Sequence, residues 1–497
     1  MKAALLWIIF LFFANTCLAT PLTTEDEVAH GRIGTWPGSL AEECARKSFP
    51  QAEIVYLDTL ADMAQNLRQN KIDAFAMNRL FVDELISSGQ SDVEILGDAL
   101  GKTGFSFVFT DSEKGKKLCR EFNAFLEESR KNGNLSKWQQ KWFSGDDERV
   151  LEKVTLTGEN GTLTAVTNPS LPPIIYMQNN EIAGYEAELM QQFCAAYGYD
   201  FQVTVATFET GMAGVSTGKF DIGFCSVEIR PERAKHFLFS DKTWEADCVL
   251  AVRSDGSAGP GIIATLKQTF HDIFLRENRW KLFVSGLFTT VLITFVSVCL
   301  GTLLGFAKCL LYQENNRYLN ALLNLLSRLF AGMPIVVLLM IFYYIIFGKV
   351  DVSGTFVAVA AFSILFGFSV FEMLRNATNN LPQGQREGAL ALGFSERQVF
   401  LRFLLPQAVR QAFPTYQMEI VGLLKSTAIV GYIAVQDLTK MADIIRAQTF
   451  DAFAPLVAIT ILYLAFVWLL HKITNYILGK LNPKRRSQKE ILQGVTP

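Results

Sequence analysis

The sequence predicts an α/β front half followed by an all-α membrane half of five helices, and three observations carry that prediction. Residues 24–254 alternate short β-branched stretches with helical ones. Five apolar runs follow, near 283–311, 319–347, 354–374, 412–434 and 452–478, each able to reach the roughly 20 residues that cross a hydrocarbon core. The 497-residue chain is also 50% hydrophobic, high for a purely soluble protein.

The chain opens on Lys2, an apolar run over 3–14 and the small-residue stretch Cys17-Leu18-Ala19, the pattern of a secretory signal cut after Ala19. Cys17 as a lipid-modified terminus is the alternative, although Ala14-Asn15-Thr16 lack the aliphatic residue such a site needs. Strands are expected around Arg32-Ile33-Gly34, 52–57, 105–109 and 163–166, in mainly parallel sheets. The exported cysteines Cys44, Cys119, Cys194, Cys225 and Cys248 are odd in number and form no dense framework, so buried free thiols are expected. The Gly/Ser/Pro-rich stretch 256–261 closes the soluble part, and an amphipathic segment, 263–280, leads to the first apolar run.

Five spans put the two ends of the membrane half on opposite sides. With the front half outside the cell, the loop 376–411 and the tail face the cytoplasm, and the basic residues agree: Arg386, Arg397 and Arg402 lie in that loop and Lys484, Arg485 and Arg486 in the tail. The formal net charge of -2 describes no basic domain, so nucleic acid is not an expected partner. His30, His236, His271 and His471 are scattered, and neither a metal site nor an acid-base constellation emerges. Gly101-Lys102-Thr103 imitates the end of a phosphate loop, but only three residues separate Gly97 from Gly101 where four are needed.

In the membrane half, Glu387-Gly388-Ala389, then Gly393 and Leu405-Pro406, stand at fixed spacing. Gly393 breaks one short helix and Pro406 opens the next segment, which predicts a helix-turn-helix fit to dock in a partner's cleft. This segment resembles the "EAA" loop of ABC importer permeases. Gly332-Met333-Pro334, Phe371-Glu372, Leu381-Pro382 and Leu423-Leu424-Lys425-Ser426-Thr427 narrow the resemblance to polar amino acid importers of the histidine/glutamine type, over nearly all of 280–480. Ala331 stands where that family usually has Arg, Gly388 where it has Ala, and Phe403 where it has Ile. Ionisable residues within membrane spans are costly. Glu372 has Arg375 one turn away as an ion-pair partner; Glu419 and Lys425, six residues apart and on different faces, either pair elsewhere or line the pore.

Residues 161–253 resemble the first half of a family 3 solute-binding protein, in Leu163 to Ser170, Gly184-Tyr185-Glu186, Gly218-Lys219-Phe220-Asp221 and the run from Ile229 to Ala234. Residues 25–145 resemble the rest of that fold, in Arg32-Ile33-Gly34, Pro37-Gly38-Ser39, Lys71 to Asn78 and the final Trp138 to Gly145. The resemblance implies a two-lobed periplasmic-binding-protein-like domain in swapped order, hence one circularly permuted receptor, or else two truncated ones. The implied organisation is a signal over 1–19, lobe 2 and the return to lobe 1 over 20–148, the opening of lobe 1 over 149–255, a linker and interfacial helix over 256–280, the permease over 281–480 and a tail over 481–497. Ligands of open α/β sheets meet the carboxyl ends of strands. By family position Arg233 would hold a ligand carboxylate, Asn78 stands at the usual ammonium-binding Asp, Leu171 at the aromatic lid and Glu228 where small hydroxyls are usual, with Ser226 and Ser39 beside them.

The implied function is the permease subunit of an ATP-binding-cassette importer, moving a small polar solute, in the amino acid class, by alternating access. No cofactor is expected on this chain. ATP would be used by a separate ATPase dimer, and a second permease chain, identical or sister, would complete the pore in the bacterial inner membrane, with the receptor part periplasmic. The alternatives are a glutamate-receptor-like channel, which would need a selectivity loop, and a signalling receptor, which would need an output domain after the last span; neither feature occurs.

Overall fold

The computed structural model describes residues 24–481 apart from 89–91, 145–148, 231, 232, 236, 255–266, 313–315, 349 and 351. The signal, the Gly/Ser/Pro stretch, Pro231 and the basic tail therefore lie outside the described residues. The chain divides into two compact units, Met1–Val284 with Lys440–Val457, and Ser285–Thr439 with Ala458–Pro497.

The first unit is built on one large sheet. Its strands are β1 (Arg32–Thr35), β2 (Glu53–Tyr56), β3 (Ala74–Asn78), β4 (Val93–Phe109), β5 (Thr162–Thr167), β6 (Ser170–Leu171), β7 (Ile175–Gln178), β8 (Glu181–Ala183), β9 (Asp200–Val205), β10 (Ile222–Glu228), β11 (Leu238–Phe239) and β12 (Trp244–Arg253). The sheet runs β2-β1-β3-β12-β4-β10-β5-β9, while β6, β7 and β8 form a small sheet of their own. Both outer thirds are parallel: β1 pairs β2 and β3, and β5 pairs β9 and β10. The centre is antiparallel, because β12 pairs β3 and β4, and β4 pairs β10. The expectation of mainly parallel sheets thus holds only for the outer thirds. Two strands that both cross the middle must run against the βαβ strands they join, which is what makes the sheet mixed.

Each outer third is a βαβαβ unit whose first strand lies between the other two. Three of their helices, Leu40–Ser48, Leu60–Arg68 and Phe208–Ser216, and the helix Glu113–Lys131 that follows β4, start on Ser39, Thr59, Thr207 and Ser112, whose hydroxyls accept first-turn amides. β3 and β10 are buried at every position. Gly97 and Gly101-Lys102-Thr103 lie within strand β4, so no phosphate loop forms there. The main core gathers Phe107, Phe122, Trp142, Tyr185, Phe193 and Phe224; a smaller one gathers Val28, Ile33, Ala45, Cys248 and Leu250. The cysteines of this unit are free, with Cys194, Cys225 and Cys248 buried.

In the second unit, Gly354–Asn379 and Ala454–Gly479 are unbroken helices long and apolar enough to cross a membrane, as is Trp280–Tyr312, which enters it. Two bent pairs, Arg317–Gly332 with Ile335–Ile346 and Glu396–Ile433 with Leu438–Thr449, bring the number to five if each is one span. The sequence shows the second as a continuous apolar run and the fourth, 412–434, as one interrupted by polar residues; the bend at Met333-Pro334 corrects the second, and the other bend falls where the fourth run ends. At the 109° bend Pro334 forces Met333 into an extended conformation (φ -86°, ψ 135°). At the 57° bend Ala434 is left-handed at φ +60°.

Close backbone approach holds two of these helices together. A side chain at Gly305 would lie 2.6 Å from the Gly367 carbonyl oxygen, and one at Gly301 2.8 Å from that of Ser363. Glycines four apart are the small-residue seam that lets helices pack in lipid, where apolar burial supplies no drive. Gly305→Leu is therefore expected to lower the thermal midpoint of the detergent-solubilised protein by an amount equivalent to about 1–3 kcal/mol. Gly332→Ala, where an added methyl meets nothing within 4 Å, leaves it unchanged.

Candidate functional site

In the first unit, four of the six sequence-predicted residues fall at or just after the carboxyl ends of β1, β3 and β10, the usual place for a ligand of such sheets. Ser39 follows β1, Asn78 ends β3, and Ser226 and Glu228 close β10. Ser39 caps the helix Leu40–Ser48, accepting the Glu42 amide at 3.1 Å and donating to the Trp36 carbonyl at 2.8 Å. Asn78 is 1% exposed, and its Oδ1 has no hydrogen-bond partner among the described residues. The Glu228 carboxylate is buried; its Oε2 accepts the Leu40 amide at 2.9 Å and lies 3.7 Å from Arg230 Nε. Burial pushes the Glu228 carboxyl above its ordinary range, against the Leu40 amide and the charges of Arg230 and Arg233.

Ser226 is left-handed at φ +51°, at the point where the β10–β4 register shifts. Its backbone amide reaches both carboxylate oxygens of Glu186, at 3.1 and 3.0 Å, and its hydroxyl lies 3.3 Å from Oε1. The bulge therefore turns an amide inward to hold a buried carboxylate. Arg233 is placed differently: it opens a single 3-10 turn, Arg233–Lys235, and its guanidinium lies 5.3 Å from the centre of the Phe208 ring. Leu171 belongs to the small sheet and packs against the main core. The structure thus joins Glu228 to the helix that Ser39 caps, and places Arg233 and Leu171 on other elements.

Sequence reasoning missed the segment Lys440–Val457, which belongs to the first unit and makes side-chain contacts within it. Arg446 Nη2 pairs with Asp62 Oδ1 at 2.7 Å, Gln448 Nε2 donates to the Met177 carbonyl at 2.6 Å, and Phe450 is 3% exposed within the main core. Asp62 belongs to one βαβαβ third, while Met177 belongs to the small sheet that follows β5. The signal was present as a polar stretch between two apolar runs.

In the second unit, the helix Gln383–Ala391 ends at Gly393, left-handed at φ +86°, and Ser395 starts Glu396–Val399 with a capping box. The expected helix-turn-helix is present. It is braced by Arg386 to Glu396 at 2.9 Å, Gln407 to Gln385 at 2.6 Å, and the Phe394 and Phe403 rings with centres 5.1 Å apart. Ala389 is buried, Glu387, Gly388 and Gly393 are exposed, and Leu392 at the tip is 78% exposed. Pro406 stands in the first turn of the helix Leu405–Ser426, as expected, but that helix does not begin from a loop. A π turn over Phe400–Leu404 runs directly into Leu405–Ser426, its wider ladder absorbing the amide that Pro406 lacks.

Glu372 pairs with Arg375 at 2.6 Å. Among the described residues, Glu419, half-buried, and Lys425, exposed, have no hydrogen-bonded or ionic partner. Gln411, Pro414, Thr415, Met418, Gly422 and Lys425 are all exposed along one face of their helix. Lys308 was not singled out by sequence, yet it is buried, hydrogen-bonds Ser327, and lies 4.4 and 4.0 Å from the centres of the Phe368 and Phe371 rings.

Residues 297–487 match the family model described as binding-protein-dependent transport system inner membrane component. The chain is 31% identical over 203 residues to the putative glutamine transport system permease protein GlnP of Rickettsia felis, covering 40% of this chain and 92% of that protein. The chain belongs to this permease family. Another relative, the histidine/lysine/arginine/ornithine transport system permease protein HisM of Escherichia coli K12, is 30% identical over 224 residues, covering 43% of this chain and 90% of that protein. A crystal structure of an amino acid ABC transporter with histidines aligns over 45% of this chain and all of its own, at 26% identity and a TM-score of 0.39. As a member of the permease family the chain is a transporter component and not an enzyme.

Glu186 supplies a pH test of the α/β unit. Burial raises its carboxyl to about 7 despite the Ser226 hydrogen bonds, so the native state holds a proton that the unfolded chain releases near 4.5. Its contribution to stability is complete below about 4.5, falls as the pH rises and is gone above about 7. The unfolding midpoint, followed by the fluorescence of the α/β unit across that window, is expected to fall with rising pH in the wild type and to lack this slope in Glu186→Gln.

Proposed function

We propose that this chain is the permease subunit of an ATP-binding-cassette importer for a small polar solute of the amino acid class, carrying its own circularly permuted receptor. The observation that carries the reading is the braced hairpin over 383–399, which leaves Glu387, Gly388, Gly393 and Leu392 exposed on a rigid scaffold. An apolar tip beside an acidic group suits a cleft on a partner ATPase, whose dimer would use the ATP. The amino acid class is supported by what relatives such as GlnP and HisM are named for.

The receptor reading is supported by the two βαβαβ thirds sharing β4 and β12, in a chain order where 25–145 supplies one lobe and the return from it, and 161–253 supplies the other lobe. Chain ends lie at surfaces, so relocating them leaves a fold's contacts intact. In the proposed cycle, the lobes close outside the cell, and Lys440–Val457, which touches both Asp62 and Met177, senses that closure. ATP binding then draws the partner ATPases together and, through 383–402, opens the pore outward. Lys425 lies on a helix face left open for a second permease chain, sister or identical, and for the solute path, with Glu419 half-buried on another face of the same helix. The receptor would be periplasmic, the hairpin and tail cytoplasmic.

Co-purification of the partner ATPase with the full chain tests the coupling hairpin. Leu392→Glu is expected to reduce the recovered ATPase by roughly tenfold, a loss of about 1.4 kcal/mol, while the unfolding midpoint of the α/β unit stays unchanged. Undiminished recovery in this variant and in Glu387→Lys would rule out the hairpin as the docking element.

A further inference from the structure

The bond between Glu228 and Leu40 joins the two halves of the α/β unit. Glu228 closes β10, Leu40 opens the first helix after β1, and 188 residues separate them. The first turn of a helix presents amides without intrahelical partners and a partial positive charge, a seat for an anion. Around Leu40–Ser48 the Glu42 amide is taken by the Ser39 hydroxyl, and the Gly38 amide by Glu42 Oε2 at 2.8 Å. The Leu40 amide is taken by Glu228, a carboxylate 7% exposed that has crossed from the other half. Arg230 flanks the same oxygen at 3.7 Å and reaches Glu43 of the first helix at 3.7 Å.

We propose that Glu228 is the receptor's built-in ligand: its carboxylate fills the anion seat at Leu40, so the lobes close without solute and free carboxylates are refused there. The proposal rests on the receptor reading above. A charge-assisted bond to a helix amide is among the stronger hydrogen bonds, and breaking it leaves a buried carboxylate without its donor. A tethered carboxylate also competes at an effective concentration on the order of mM, which disfavours any solute carboxylate of ordinary affinity. Solutes that this receptor admits would therefore belong to the part of the amino acid class without a free carboxylate, such as amides and amines.

The test combines hydrogen exchange at the Leu40 amide with calorimetric titration by glutamine and arginine, both on the full chain in detergent. In the wild type the amide is protected and neither amino acid binds saturably. Glu228→Thr is expected to speed exchange at Leu40 by roughly tenfold or more, and glutamine or arginine then binds and restores protection. Glu228→Gln keeps an acceptor without the charge and gives an intermediate rate. Unchanged exchange in β3 and β10 verifies that each variant is folded. Saturable binding of either amino acid to the wild type, or unaltered Leu40 exchange in Glu228→Thr, overturns the proposal and leaves the receptor reading standing. Faster exchange with no binding by any variant overturns the refused-carboxylate claim and counts against the receptor reading as well.

Discussion

The antiparallel ladder between β4 and β12 is the constraint on which the α/β unit depends. β4 is 17 residues long, about 55 Å at ~3.4 Å per residue, and its partners change along it. Its Val93–Phe105 portion lies against β12, and Phe105–Phe109 lies against β10. β12 in turn pairs with β3 from Ala74 to Asn78. Remove this ladder and each βαβαβ third keeps three parallel strands with an exposed inner edge. With it, the two thirds share a continuous hydrogen-bonded sheet, and the chain order in which they are made ceases to matter. Residues 25–109 and 162–253 thus contribute their strands to one sheet in one compact unit.

The membrane half answers a different solvent. Hydrocarbon offers no partner to a backbone amide, so the chain must stay helical wherever it meets lipid, and its breaks fall where local chemistry permits them. Pro334 and Ala434 mark two breaks, and the π turn at 400–404 manages a third conflict, the missing amide of Pro406, without interrupting the helix. Glycines 301, 305 and 367 then set how closely two spans approach, through carbonyl contacts that any side chain would block. The coupling hairpin differs again: its polar surface is held by an ion pair, an amide–amide bond and an aromatic pair, leaving its tip free for a partner.

Much of this was legible in the sequence because it is local. The glycine, capping and proline positions between Gln383 and Pro406 specify a helix-turn-helix at fixed spacing, and the Glu372–Arg375 pair follows from one helical turn. β-branched runs bounded by turns located β1, β2, β5 and the end of β4. What escaped is non-local or depends on competition between neighbours. Nothing near Glu228 indicates that its partner is an amide 188 residues earlier. The apolar run through 319–347 hides a bend, since hydropathy is blind to the conformation that Pro334 imposes on Met333. The segment Lys440–Val457 looks like a loop between spans until Arg446 and Phe450 find partners in the α/β unit.

The most direct test of the central claim, that one chain joins permease and receptor, is uptake of radiolabelled solute into vesicles containing only this chain and its partner ATPase. The account predicts ATP-dependent accumulation of at least one small polar solute with no soluble receptor added. Accumulation that appears only when a separate binding protein is supplied, or that proceeds equally without ATP, would contradict it.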